Sequence, residues 1–481
     1  MNHIKTTLGI LLFLIVTLLI SCKSSKDLVK ESSIAIPENL SVAEDTNSIG
    51  QLTYAAYFKD PILVSLIDSA LANNYDMLMA IQRIEIAKAG FRERKFAWLP
   101  SLNFLSGAGA RKYSDFTMDG VGLYDQNLSP NVSGNQITPN PVPDMVVGFE
   151  TSWEIDVWGK LKNLKKAALQ KYLASEEGKK AFQSIMVSEI AQLYYKLISL
   201  DLELKIAKNN ADLQTRVLEL VKIQKQGGRA NELAVKQVNA QLFNTLTFAE
   251  IIEQEIVETE NLLNLLLGRF PQKIQRNEVL NSNELVANFS NGVPSNLLAN
   301  RPDIRQNELF LLASNADAKA ARAAFLPSIN LSAFLGIQSF RSSVFLSLPG
   351  SIAYNVSAGL LQPVFNRNAL KAQFKVRKAE QLIALYDYEK SIVTGVQEVV
   401  SQLNKIENYK KIVNLKKQEV DMLKEAVTIS NDLFATGNAT YIEVITTQRM
   451  VLDEEINYTR YQLEEINGAI NLYKALGGGW K

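Results

Sequence analysis

The amino-acid sequence predicts a mainly α-helical fold with a membrane β-barrel part, built from a duplicated unit of two strands plus a long helical hairpin. Three observations lead to this prediction: an internal repeat, four short segments of alternating apolar and polar residues, and two long runs without proline. A repeat indicates that one structural unit is used twice. The alternating segments and the long runs indicate what that unit contains.

The repeat is most visible around two Leu-Pro-Ser steps. Residues 97–104 (AWLPSLNF) return as residues 324–331 (AFLPSINL), and the same offset carries Asp76 onto Asp303. The predicted organisation is a first structural repeat over residues 61–271, a linker over 272–292 and a second repeat over 293–481.

Each repeat contains two segments in which apolar residues recur at every second position. In one of them, Val147 and Phe149 alternate with Gly148 and Glu150. One apolar face at a period of two, over about 9–11 residues, is what a tilted membrane strand requires. The predicted strands are about 101–111, 146–157, 328–338 and 351–364.

The alternative interpretation of these segments is a soluble β-sandwich. Only four strands are predicted, however, and long helices separate them into two pairs. Trp153 and Trp158, near the end of the second strand, fit an aromatic belt at a membrane interface. An open sheet edge is not tolerated in lipid, and bacterial barrels have at least about 8 strands. The chain must then oligomerise, and two, three or four copies would give about 8, 12 or 16 strands.

The remaining sequence divides into loops and helices. Residues 112–144 and 339–350, between paired strands, are predicted to be exposed loops. Shorter helices are predicted at about 61–96 and 302–325. The first long run, 160–226, would extend on the order of 100 Å as one helix, and glycines divide both runs into hairpins. The predicted hairpin helices are 160–226 with 231–267 and 367–436 with 440–476.

Heptad spacing supports long packed helices. Ile406, Val413, Val420 and Val427 follow one another at steps of seven. Such spacing is equally expected of a plain coiled-coil spacer. Only the strand pairs and the N-terminal signal favour the wall of a tube.

The N-terminus predicts a lipid anchor. Lys5 precedes an apolar stretch that is too short to span a membrane as a helix, and Leu19-Ile20-Ser21-Cys22 ends it with a small residue before a cysteine. We predict a lipoprotein signal peptide over residues 1–21, lipidation of Cys22 and a lipidated N-terminal tether over 22–60. The alternative is an ordinary signal peptide or a chance apolar start.

Composition argues against several classes of function. Cys22 is the only cysteine and His3, in the predicted signal, the only histidine, which disfavours Ser-His-Asp, cysteine and zinc chemistry. We expect no enzyme activity, no metal and no cofactor. The formal charge of +1 gives no indication of nucleic-acid binding.

Several motifs together resemble the TolC-like outer-membrane efflux factors, in their lipoprotein branch. They are residues 74–77 (NYDM), 301–304 (RPDI), the two Leu-Pro-Ser steps, 153–159 (WEIDVWG) and 472–480 (LYKALGGGW). The resemblance covers nearly the whole mature chain. It implies a homotrimer that forms a 12-stranded barrel on a periplasmic α-helical coiled-coil cylinder.

The resemblance also implies a function and partners. Such a protein is the exit duct of a tripartite efflux pump and passes small molecules from an inner-membrane pump and a periplasmic adaptor to the exterior. It would lie in the outer membrane, in contact with lipid, with its helices in the periplasm. An outer-membrane duct for type I protein secretion remains an alternative, as does a coiled-coil envelope lipoprotein without transport activity.

Site residues follow from the same resemblance. The hairpin tips would contact the adaptor, and Glu443 would ring the periplasmic aperture. Thr446 and Ala234 stand where other members carry further acids, so one acidic ring is expected. Charge facing lipid is costly, so acidic residues of the second strand would face the barrel lumen. The expected tip residues are Gln226, Gly227, Gly228, Gly437 and Asn438, and the expected lumen residues are Glu150, Glu154 and Asp156.

Overall fold

The computed structural model describes residues 49–280, 301–365 and 367–481 of the chain. The predicted signal peptide, the lipidation site Cys22 and most of the tether lie outside the described residues. The part of the predicted linker from 281 to 292 lies outside them as well.

The described residues are mainly helical, and the order of short helix, two strands and helical hairpin occurs twice. The helices are α1 (Tyr54–Phe58), α2 (Pro61–Asn73), α3 (Tyr75–Phe96), α4 (Met118–Asn127), α5 (Lys160–Gln226), α6 (Glu232–Leu266), α7 (Pro302–Ala323), α8 (Arg367–Thr436) and α9 (Tyr441–Ala475). The strands are β1 (Ser101–Arg111), β2 (Val142–Ile155), β3 (Ser328–Ser339) and β4 (Ile352–Leu361). Among these residues, no helix combines the length and the apolarity needed to cross a membrane.

The four strands form one antiparallel sheet in the order β1-β2-β3-β4. Helices α3 and α7 lead into β1 and β3, and helices α5 and α8 follow β2 and β4. All four helices therefore meet one end of the sheet. The β1–β2 and β3–β4 connections lie together at the opposite end.

Several boundaries differ from the sequence predictions. Strand β2 begins at Val142 rather than at residue 146, and β4 ends at Leu361 rather than at residue 364. The helix expected over 61–96 is divided at Asn74, whose extended backbone and side chain begin a new helix by accepting a hydrogen bond from the Met77 amide (3.0 Å). The expected loop 112–144 contains α4, which Thr117 caps. The strand expected to reach residue 157 ends at Ile155, because Asp156 caps the following helix.

The main hydrophobic core lies where the short helices pack against the middle of α5 and the ends of α6 and α9. Tyr57 stacks on Tyr473 at 4.1 Å between ring centroids, and the Tyr473 hydroxyl donates to the Leu52 carbonyl (2.8 Å). A Cβ on Gly478 would lie 2.3 Å from the Tyr473 ring, so only glycine fits there. This core holds both repeats together.

The motifs shared by the two repeats perform equivalent structural tasks. The Asn74 side chain donates to the Leu266 carbonyl at the end of α6 (2.9 Å). In the second repeat, Arg301 donates to the Ala475 carbonyl at the end of α9 (3.1 Å) and pairs with Glu398 (2.8 Å). Each short helix therefore begins where it is tied to the end of its own hairpin, which satisfies carbonyls that a helix end leaves free.

Candidate functional site: a two-faced sheet and two helical tips

The sheet has one continuous apolar face. Strand register places Phe104 opposite Phe149, Phe149 opposite Leu335 and Leu335 opposite Tyr354, so one apolar row crosses all four strands. The rows beside it carry Val147, Ile337 and Ile352 on one side and Ala333 and Val356 on the other. Much of this face is exposed within the chain: Phe104, Leu335, Tyr354 and Val356 are each more than half exposed. An exposed apolar surface of this extent indicates contact with lipid or with protein.

The opposite face of the sheet carries mainly polar and small residues. Glu150 lies between Asn103 and Phe334, and Glu154 lies opposite Asn330. The hydroxyls of Ser332 and Ser357 are hydrogen-bonded at 2.7 Å. Glu150 and Glu154 therefore lie on the polar face.

Phe334 is the largest of several apolar residues on this polar face, which also carries Leu105, Val146 and Leu361. A Cβ on either Gly148 or Gly336 would come within 2.8 Å of its ring. The ring therefore contacts the paired glycines of β2 and β3, where it covers backbone that glycine leaves bare. This placement explains how a half-buried phenylalanine fits the mainly polar surface.

Asp156 has a structural task outside the strand. Its two carboxylate oxygens accept hydrogen bonds from the amides of Leu161 and Lys162 (3.0 and 2.8 Å), which begin α5. A carboxylate at a helix N-terminus is favoured by the helix dipole. The strand alternation used for Glu150 and Glu154 therefore does not extend to Asp156, because the strand has already ended.

Two tryptophans mark the end of the sheet next to the helices. The Trp153 indole donates to the Trp98 carbonyl (2.8 Å), and the Trp158 indole donates to the Pro327 carbonyl (2.7 Å). The acceptors belong to the two repeated Leu-Pro-Ser segments. Each indole thus fixes one helix-to-strand turn. The Trp158 ring is about half exposed and the Trp153 ring is partly buried, as is usual for amphipathic rings at an interface.

The two hairpin tips lie side by side. Phe434 and Val444 of the second hairpin are buried in one apolar cluster with Val221 and Ala234 of the first. Gln224 also donates to the Phe434 carbonyl (3.3 Å). The structure therefore brings together two tips that are more than 200 residues apart in sequence.

The expected tip residues are exposed on this paired end. Gly228 and Gly437 have φ of +77° and +82°, in the left-handed region that favours glycine. Gln226, Gly227 and Asn438 are exposed beside them, and the Asn438 side chain donates to Thr436 (3.1 Å). All five residues belong to the turns that end α5 and α8.

Glu443 lies in the first turn of α9, on an exposed surface. Its carboxylate accepts a hydrogen bond from the Thr440 amide (2.6 Å) and another from the Thr440 hydroxyl (3.1 Å). This is one half of a capping box, which stabilises a helix start. Thr446 is exposed one turn further along, whereas Ala234 is fully buried.

The sequence patterns did not predict a buried polar layer near the tips. Gln214, Thr245 and Gln448 are each at most 2% exposed, and atoms of all three side chains have no hydrogen-bond partner among the described residues. Along α5, Gln214 lies between Ala211 and Val217 of the tip cluster. Along α6, Thr245 lies between Leu242 of that cluster and Ala249 of a second apolar cluster. A glutamine within a heptad-like run is the only signal that could have indicated it.

Known proteins share both sequence and fold with this chain. A profile of the outer membrane efflux protein family matches residues 66–269 and 293–478. The solvent efflux pump outer membrane protein SrpC of Pseudomonas putida is 30% identical over 427 residues, which cover 88% of this chain and 87% of SrpC. The probable outer membrane lipoprotein SilC of Salmonella typhimurium is 29% identical over 476 residues, covering 96% and 97%.

A solved structure of CusC has the same fold. It superposes with a TM-score of 0.80 at 26% identity, over 92% of this chain and 98% of the CusC chain. The resemblance predicted from the short motifs is therefore confirmed, as are the outer-membrane location and the role in efflux. This chain belongs to the outer membrane efflux protein family and is a channel component of the outer membrane.

Proposed function

We propose that three copies of this chain form the exit duct of a tripartite efflux pump, which passively conducts small molecules from a periplasmic adaptor and an inner-membrane pump to the exterior. The observation that carries the proposal is the sheet with one apolar face, one polar face and two unpaired edges. Lipid on the outside and water on the inside account for both faces.

The unpaired edges support assembly of several copies. Among the described residues, β1 and β4 each have a single neighbouring strand. Their directions are opposite, so β4 of one copy can pair with β1 of the next and continue the antiparallel order. We choose three copies, and so twelve strands, because the chain resembles TolC-like channels. Closure would leave no edge in the lipid.

Residues on the polar face would then line the lumen. Glu150 and Glu154 would bring repeated carboxylates into the duct, and Glu154 already pairs with Lys160 (2.8 Å). Asp156 would contribute mainly by beginning α5. We further propose that Cys22, which lies outside the described residues, carries the lipid that anchors the tether in the outer membrane.

The paired tips are our proposed contact with the adaptor. Gln226, Gly227, Gly228, Gly437 and Asn438 form a small exposed surface of turns in which a partner can approach the backbone closely. Relatives of this chain include a solvent efflux pump outer membrane protein and a cation efflux system protein. Different substrates on one framework are consistent with a passive duct whose pump chooses the substrate.

The decisive experiment is single-particle imaging of the full chain extracted from the outer membrane, combined with its conductance in planar bilayers. We expect a hollow particle with threefold symmetry and a stable ion conductance. A monomer, or a solid rod without conductance, would reject the duct.

A second experiment tests Glu443 at the aperture. Glu443→Gln removes the charge but retains an oxygen for the Thr440 amide, so the helix start is preserved. We expect lower cation selectivity of the isolated channel. Asp432→Asn, at an exposed position of α8, is the matched control and should leave selectivity unchanged. Equal selectivity for wild type and Glu443→Gln would remove Glu443 from the constriction.

A further inference from the structure

The two connections at the loop end of the sheet expose large apolar side chains. In the β1–β2 connection, Phe116 is 99% exposed and Met118 is 92% exposed. In the β3–β4 connection, Leu346 is 79% exposed and Leu348 is also largely exposed. We call the first set, with Val121, Tyr124 and Leu128, the first-loop patch, and Leu346 with Leu348 the second-loop patch.

The first-loop patch stands on an ordered support. Thr117 caps α4 by accepting from the Gly120 amide (3.2 Å), and Asn127 exchanges two hydrogen bonds with the Thr138 backbone (2.8 and 2.9 Å). A Cβ on Gly120 would lie 2.0 Å from the Ser114 carbonyl oxygen, so the turn packs closely. The patch is therefore presented outward by a fixed turn rather than by a loose tail.

The second loop is fixed as well. Arg341 donates two hydrogen bonds to the Ile137 carbonyl of the first loop (3.1 and 2.7 Å), and the Ser351 amide donates to the Ser347 carbonyl (3.1 Å). Within one chain these bonds join the inner sides of the two loops. Leu346 and Leu348 remain exposed.

Sheet topology determines which surfaces meet when copies join edge to edge. The first loop leaves the edge strand β1 at Arg111, and the second loop enters the other edge strand, β4, at Ile352. These two strand ends lie at the same end of the sheet. When β4 of one copy pairs with β1 of the next, the second loop of the first copy adjoins the first loop of its neighbour.

We propose that the first-loop patch of one copy packs against the second-loop patch of the adjacent copy and forms an apolar contact at the outer mouth. This inference rests on the proposed assembly through β1 and β4. It identifies a second copy of this chain as the occupant of the patch. Burial of several large apolar side chains per contact would stabilise the assembled mouth.

Charge distinguishes this occupant from the membrane surface. Asp115, Asp119 and Asp125 lie beside the first-loop patch, and residues 113–144 contain no lysine or arginine. Anionic lipid headgroups would repel these carboxylates. Residues 342–352 of the second loop carry no charge, so a second copy offers an apolar surface without that repulsion.

Cysteine pairs test the contact, since the sequence contains one natural cysteine, Cys22. Met118→Cys and Leu346→Cys are combined in the full chain, and outer-membrane fractions are treated with a short bis-maleimide and separated under reducing conditions. We expect covalent dimers and trimers. A link within one chain would run as a monomer and would contradict the proposal.

The matched control combines Met118→Cys with Phe270→Cys. Phe270 is also 92% exposed, but it follows α6 and belongs to neither of the two loops of the sheet. Each single variant reports any link that involves Cys22. Equal linking in the test and control pairs would overturn the proposal, as would quenching of a fluorophore on Met118→Cys by brominated lipid.

Particle mass separates failure of this inference from failure of the proposed function. Trimeric particles without the Met118–Leu346 link would reject the loop contact and leave the duct intact. Particles that are monomeric would reject both. A further variant with Phe116→Ser and Met118→Ser should lower the temperature at which the oligomer dissociates, whereas Phe270→Ser should lower it less.

Discussion

Helix α5 and strand β1 differ in where they find their packing partners. Along α5, residues such as Ile190, Tyr194 and Leu197 are fully buried against other helices of the same chain. Every residue of β1 is exposed, although Leu102 and Phe104 are as apolar as the buried residues of α5. The core residues of α5 are thus buried by helices of the same chain. The apolar residues of β1 would be covered only by lipid or by another copy of the chain.

This difference shows which part of the molecule is self-sufficient. A buried helical face gains stability in the single chain, because its apolar area is already removed from water. An apolar face on a sheet with open edges gains that stability only from lipid and from another strand. Substitutions should therefore act on folding in the first region and on assembly in the second.

The largest effect is expected from a charge on the apolar face of the sheet. Val356→Lys would put an ammonium in lipid at a cost of about 2–4 kcal/mol per copy if it lies near the bilayer midplane. We expect loss of the assembled form from the outer-membrane fraction. Asn355→Lys, the next position and on the polar face, should assemble normally. Equal tolerance of both lysines would mean that neither face contacts lipid.

The next prediction compares two leucines of α6. Leu263 is fully buried, whereas Leu265 is 68% exposed. Leu263→Ala should lower the free energy of unfolding by about 2–5 kcal/mol, and Leu265→Ala by less than about 0.5 kcal/mol in the single chain. Thermal unfolding followed by circular dichroism measures both. A large loss for Leu265→Ala would indicate that another copy covers that position.

The sequence predicted periodic features well and single contacts poorly. The proline-free runs and the glycines that divide them predicted helices over about 160–226 and 367–436, and α5 and α8 have these bounds, since helix interiors disfavour proline and glycine often ends a helix. It could not predict the cap at Asp156, since alternation continues through that residue until the backbone turns. Nor could it predict the division at Asn74 or α4 within the loop, where local side-chain hydrogen bonds decide the structure.

In the candidate site, too, the features that follow from a repeating pattern were predictable and those that depend on single contacts were not. The polar face carrying Glu150 and Glu154 follows from a period of two, which fixes the face of every strand residue. The tips follow from glycines that interrupt long helices. The capping role of Glu443 and the buried layer around Gln214 depend on contacts between residues that no local pattern relates.

A third prediction concerns this buried polar layer in the helical region. The cross-helix contacts Lys208–Glu253 and Asn210–Glu455 set a register in which Gln214 lies inside the hairpin packing. An amide buried without a partner costs about 1–3 kcal/mol. Gln214→Met has a similar shape and should raise the free energy of unfolding by about 1 kcal/mol.

Gln192→Met is the matched control for that change. The Gln192 amide donates to Asn471 (3.0 Å), so its removal should lower stability by about 1 kcal/mol. Urea unfolding of both variants measures whether the free energy of unfolding rises in Gln214→Met and falls in Gln192→Met. A loss of stability in Gln214→Met would mean that its amide has a polar partner in the assembled protein.

The smallest effect is a change in pH dependence at Glu203, a carboxylate within the helical packing. Burial raises its pKa above the ordinary value of 4.5, and the hydrogen bond from Arg460 opposes that rise. The folded state therefore binds this proton more tightly than the unfolded state. The stability that this proton contributes is fully present below the ordinary pKa and is lost as pH rises to the raised value. In Glu203→Gln, the urea concentration at the unfolding midpoint should therefore change less with pH between the ordinary and the raised pKa.

Glu407 gives the opposite sign and serves as the control for Glu203. Its hydrogen bond from Lys411 lowers its pKa, so its contribution is present above the ordinary value and is lost as pH falls through the lowered one. Glu407→Gln should therefore weaken the acid-induced loss of stability, whereas Glu203→Gln should weaken the loss on raising pH. If both substitutions change the profile in the same direction, burial does not control Glu203. Charged groups within the helical packing would then titrate like groups on an exposed surface. The difference between α5 and β1 would in that case concern apolar packing alone.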